Sequence, residues 1–154
     1  MILPNTTNPH HDEKTPMQRI QELMTPNPIT YPATATVIEA ARAMRDTNVG
    51  DVLVERDGSV IGIATDRDLV VRALAPARNP ADVRLGDICS RTLTTLTPND
   101  SVDDAVRLMR DNALRRLPIC EDGVAVGIIT LGDLAVERDP DSALADITVA
   151  PPNT

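Results

Sequence analysis

Residues 62–69 read Gly-Ile-Ala-Thr-Asp-Arg-Asp-Leu, and residues 127–134 read Gly-Ile-Ile-Thr-Leu-Gly-Asp-Leu. The shared pattern is glycine, an apolar pair, threonine, two variable residues, aspartate and leucine. The copies lie 65 residues apart, from Thr65 to Thr130. Sliding the chain against itself by that offset gives a gap-free match over about fifty positions. Val37, Ala40, Arg42 and Met44 fall on Val102, Ala105, Arg107 and Met109, and Asp57-Gly58 falls on Asp122-Gly123. Two copies are too few for a solenoid. The repeat predicts two similar units packed against each other about a pseudo-twofold axis.

Each copy reads alike. Thr36 with Glu39, and Ser101 with Asp104, have the hydroxyl and carboxylate spacing of a helix N-terminus. Val37, Ala40, Ala41 and Met44 then lie at i, i+3, i+4 and i+7, an apolar stripe of helical period, repeated by Val102, Ala105, Val106 and Met109. Strands are predicted over 51–55 and 60–64, joined by Asp57-Gly58, a dipeptide suited to tight hairpins; 116–120 and 125–129 match them. Thr65 and Thr130 open a second helix. Ahead of each copy, Ile20, Leu23 and Met24, and then Leu85, Ile88 and Cys89, suggest a short lead-in helix, the first entered through Thr15-Pro16. Segments 29–31 and 93–96 are each expected to add a short strand. The expected organisation is a disordered tail over 1–14, a first repeat over 15–75, a linker over 76–82, a second repeat over 83–138 and a C-terminal tail over 139–154. The expected fold class is α/β (α+β), each unit a small β-sheet with two packed helices.

Composition narrows the function. The chain has 154 residues, 42% hydrophobic and 25% charged, which are ordinary globular values. Tyr31 is its one aromatic residue, so the core must be built from Val, Ile, Leu, Ala and Met. Without stacking aromatics, and with a net charge of −8, nucleic acid is a poor ligand. No stretch reaches the roughly 20 apolar residues of a membrane span, and none has signal-peptide length, so a cytoplasmic protein is expected. Cys89 and Cys120 are too few for a disulfide framework or a zinc site. They read as core residues, with a regulatory disulfide as the alternative. His10 and His11 are the sole histidines and lie in the expected tail. No catalytic constellation is apparent, and an enzyme is not expected.

Helix, strand, helix, strand, strand, helix, given twice, resembles a pair of cystathionine-β-synthase (CBS) domains, the tandem known as a Bateman module. The resemblance covers about residues 16–138. It is carried by the two Gly-apolar-apolar-Thr-x-x-Asp stretches and by Arg115-Arg116-Leu117-Pro118-Ile119. It implies a regulatory module, commonly a homodimer acting on an effector protein, which holds the ribose of AMP, ADP, ATP or S-adenosylmethionine between repeats. By that resemblance Thr65, Asp68, Thr130 and Asp133 would bind ribose, and Ile63 and Ile128 would line the adenine pocket. Arg116, then Arg115 and Arg67, would approach phosphates. Leu53 departs from the family in standing where proline is frequent; Pro118 keeps it.

The residues alone leave another reading open. Thr-x-x-Asp is also the spacing of a capping box, in which threonine accepts from a first-turn amide and the carboxylate answers the helix dipole. On that reading the chain is a ligand-free scaffold.

Overall fold

The structure, a computed structural model, describes residues 17–151. The Thr15-Pro16 helix start and the His10-His11 pair lie outside these residues.

The chain opens with a 3-10 turn, Ile20–Glu22. Strand β1 (Thr25–Pro26), strand β2 (Thr30–Pro32), helix α1 (Val37–Thr47) and strands β3 (Asp51–Arg56) and β4 (Ser59–Thr65) follow. Helix α2 (Asp66–Asp68) runs on as a π-helical stretch, Leu69–Leu74. The second copy contributes α3 (Leu85–Ile88), α4 (Val102–Asp111), β5 (Arg116–Glu121), β6 (Val124–Thr130) and α5 (Leu131–Arg138). One more helix, α6 (Ala143–Val149), corrects the reading of 139–154 as a plain tail.

The 65-residue register survives folding in detail. β3 and β5 bury the same positions, as do β4 and β6. Each antiparallel hairpin shifts register at the same place, between Val54 and Glu55 and between Ile119 and Cys120. Asp57 and Gly58 have φ of 53° and 78°, and Asp122 and Gly123 have 49° and 82°. Both central residues of each turn are left-handed, as a type I′ hairpin requires.

The two sheets run β2-β3-β4 and β1-β6-β5. β1 therefore belongs to the sheet of the second copy, paired antiparallel with β6. The lead-in segments are exchanged. Ile20 is buried in the core of the second unit with Leu96, Val102, Leu117 and Ile129. Leu85, Ile88 and Cys89 are buried in the core of the first with Val37, Ala40, Val52 and Val54. Matching backbone bonds hold the two crossings. Ile20 N–H donates to Asp100 O at 3.0 Å and Leu85 N–H to Ala35 O at 2.8 Å; Val102 N–H donates to Gln18 O at 3.1 Å and Val37 N–H to Val83 O at 3.0 Å.

Two local expectations needed correction. Residues 93–96 do not form a strand; Leu96 alone bridges to β5, opposite Ile119. The physical reason is Pro118. In the first unit, Leu53 N–H donates to Ile29 O at 2.8 Å and zips β2 onto β3. Pro118 stands at the matching place without an N–H, so that bond has no donor. The second correction is the helix stripe. Val37, Ala40 and Met44 are buried, but Ala41 is exposed, and Val106 at the same register is exposed too.

Candidate functional site

Thr65 and Thr130 end β4 and β6 in extended backbone, and each caps the helix that follows. Thr65 Oγ1 accepts from Asp68 N–H at 3.2 Å, while Asp68 Oδ2 accepts from Thr65 N–H at 2.9 Å and from its hydroxyl at 2.8 Å. In the second unit Asp133 Oδ2 accepts from Thr130 N–H and from its hydroxyl, both at 2.7 Å. Both boxes are complete. One carboxylate oxygen in each unit is committed to the cap, as the structural reading of the motif requires.

The other oxygen separates the two units. Asp68 Oδ1 lies 3.4 Å from Arg72 Nε, and Asp68 is 9% exposed. The residue matching Arg72 in the second unit is Glu137. Asp133 is half-buried, and among the described residues its Oδ1 accepts no hydrogen bond. Two identical motifs thus differ in the atom that remains available.

The cationic candidates are placed very differently. Asp51 lies across the ladder from Thr65, and Arg116 lies across from Thr130. Those two residues are 65 positions apart, and the Arg116 guanidinium donates to Asp51 Oδ2. This ion pair links the units where both caps converge. Burial pulls the pKa of Arg116 down. Arg115 is exposed, and its backbone carbonyl accepts from Leu131 N–H at 2.8 Å. Arg67 is also exposed; its backbone N–H donates to Asp66 Oδ1 at 2.7 Å. The contrast of Arg67 with Gly132 has a packing cause. A Cβ at Gly132 would come within 2.7 Å of the Thr148 methyl on α6.

Ile63 and Ile128 are half-buried beneath the exchanged segments: Ile63 pairs with Ser90, and Ile128 with Thr25. Asp51 is the site residue that the sequence reading missed. The signal was available as the acidic residue aligned with Arg116.

Four surface cavities among the described residues lie away from this arrangement, with none of Thr65, Asp68, Thr130 or Asp133 in their walls. One, of about 390 Å³, is an apolar groove between α1 and the second helix, bounded by Val37, Ile38, Ala41, Met44, Leu69 and Val70. Its counterpart, of about 530 Å³, includes Val106, Met109, Leu131 and Leu134 and is bordered by Leu144 of α6.

The two cysteines lie apart in the fold, Cys89 in the first core and Cys120 on β5, and neither forms a disulfide. Burial raises the pKa of both thiols, outweighing Arg91 in the case of Cys89. Raised thiols are poor nucleophiles at neutral pH. No group of metal-ligating side chains occurs among the described residues, and no described helix is long and apolar enough to cross a membrane.

The model of the CBS domain family matches residues 20–74 and again 85–138. The chain belongs to the CBS domain family. Two relatives from Bacillus subtilis (strain 168) agree with this CBS pair over most of their length. The CBS domain-containing protein YhcV is 37% identical over 122 residues, 79% of this chain and 86% of that protein. YlbB is 36% identical over 138 residues, 86% of this chain and 93% of its own. Among solved structures, the CBS domain pair of MJ0100, in complex with 5′-methylthioadenosine and S-adenosyl-L-methionine, superposes with a TM-score of 0.72. At 22% identity, covering 82% of this chain and all of that one, it shows a shared fold.

Proposed function

We propose that this CBS pair is a non-catalytic regulatory module that binds an adenosyl ligand between its repeats and passes its packing state to an effector protein. The observation that carries the reading is the inequality of the two caps. Asp133 combines a completed capping box with an Oδ1 that has no partner among the described residues, whereas the same atom of Asp68 faces Arg72. A ribose presents two adjacent hydroxyl donors, and a carboxylate oxygen held rigid by its own cap is a suitable acceptor for them. The second unit is therefore the primary site, with Thr130 and Asp133 at the ribose and Ile128 toward the base. Thr65, Asp68 and Ile63 form the weaker site. A fold neighbour that holds two adenosyl compounds supports the architecture and leaves the ligand of this chain to experiment.

Calorimetric titration with adenosine, S-adenosylmethionine, AMP and ATP tests the reading. Asp133→Asn is expected to weaken binding by ten- to a hundred-fold. That range corresponds to roughly 1.5–3 kcal/mol for a hydrogen bond to a charged group. Asp68→Asn is expected to change affinity by less than about threefold, under 1 kcal/mol. Absence of heat with every compound would return the motif to a purely structural cap and the chain to a scaffold.

The reading also includes a second copy of the chain. The apolar grooves along α1 and α4 have the exposed small or branched residues Ala41 and Val106 on their walls, which permits close approach of another helix layer. Light scattering at micromolar concentration is expected to give the mass of a dimer, and a monomer would remove this part.

A further inference from the structure

We infer that Asp51 sets the charge of the ligand: by holding Arg116 it turns the site away from 5′-phosphates and toward adenosyl compounds with a neutral or cationic 5′ substituent. The inference rests on the adenosyl site proposed above. Its basis is the Asp51–Arg116 pair, with side chains only 16% and 32% exposed. Charges that far removed from solvent are weakly screened and hard to separate.

For Arg116 to serve a phosphate it must release Asp51. That carboxylate would then stand mostly buried and unpaired beside a group carrying about −1.5 to −2 charges at neutral pH. The surroundings make matters worse. Asp66 lies against the backbone just before Asp51, its Oδ2 3.4 Å from where a Cβ on Gly50 would be. Asp133 follows on α5, three residues after the Thr130 that lies across the ladder from Arg116. A ligand without a phosphate leaves the pair intact. A cationic substituent would gain from Asp133, whose Oδ1 accepts no hydrogen bond among the described residues.

The test is a set of calorimetric titrations with adenosine and AMP at low salt. Wild type is expected to bind adenosine at least as tightly as AMP. Asp51→Asn keeps the size of the side chain and an oxygen that can still accept from Arg116, so the fold is retained; a melting curve verifies this. It is expected to raise AMP affinity about tenfold or more and to leave adenosine within about twofold. The double variant Asp51→Asn/Arg116→Gln should lose that gain, because the gain belongs to the freed guanidinium. An AMP gain that persists without Arg116 reflects overall charge and overturns the inference. So does an unchanged ratio of the two ligands in Asp51→Asn. In that case adenosine binding that still depends on Asp133 leaves the site reading standing, whereas no adenosine binding at all overturns both.

Discussion

Ile20→Ala is expected to destabilise the protein by about 2–5 kcal/mol, the range for truncating a large buried aliphatic side chain. The residue lies at the start of the first copy, yet its loss should be felt in the second unit. It is fully buried there among Leu96, Leu117 and Ile129. The surrounding wall has little freedom to collapse into the space. Main-chain bonds from Ile20 to Asp100 and from Gln21 to Pro98, both 3.0 Å, fix the segment on either side. Leu85 is the same plug in the other direction, fully buried and bonded to Ala35. Each unit thus lacks part of its core unless the other supplies it. Urea unfolding followed by circular dichroism should therefore show a single transition, with a lower midpoint in Ile20→Ala and an unchanged slope. A variant that loses only an early partial transition would show that the units fold separately.

That exchange marks the limit of what local pattern conveys. Helix caps and hairpin turns were legible because each depends on residues within a few positions of one another. Thr36 with Glu39, Asp57 with Gly58 and Thr65 with Asp68 act within one turn of chain. The apolar character of Ile20, Leu23 and Met24 was equally visible, but not which core receives them. Apolar spacing specifies that a face will be buried and is silent about the partner. α6 escaped notice for a related reason. Its seven residues are too few for a clear period, and its anchorage is tertiary, through Gly132 on α5 and a buried Ala145.

The site was legible to a similar depth. Residue types predicted two Thr-Asp pairs, and both capping boxes are formed. What makes them unequal is Arg72 in one unit and Glu137 in the other, with Asp51 set against Arg116. These are differences at aligned positions whose meaning depends on which side chains meet across the fold. The resemblance put Arg116 at a phosphate. The folded chain gives that guanidinium a carboxylate of its own.

Gly62→Ala is expected to destabilise the protein by about 1–3 kcal/mol, the usual range for overpacking. Removing a glycine from a strand would ordinarily stabilise it by a fraction of that, through the entropy of the unfolded chain. Here the sign reverses because of the exchanged lead-in. A Cβ at Gly62 would stand 2.5 Å from Ser90 O and 2.9 Å from Cys89 Sγ. Ser90 O is a backbone acceptor already held by Ile63 N–H at 3.2 Å, and it cannot retreat without opening the bridge that seats α3 on the first unit. Gly127 is the matching residue, and it supplies the contrast. Its Cβ would first meet Met24 Sδ at 2.4 Å, the far part of a flexible and half-buried side chain, and then Thr25 O at 3.2 Å. Methionine can turn aside where a carbonyl cannot. Gly127→Ala should therefore cost less than Gly62→Ala. For a chain of this size each kcal/mol lowers the melting temperature by about 2–4 °C, so scanning calorimetry should resolve the order of the two variants. Equal melting temperatures for wild type and Gly62→Ala would mean that the lead-in does not press on β4. The first glycine of the repeated motif would then owe its place to something other than the crossing.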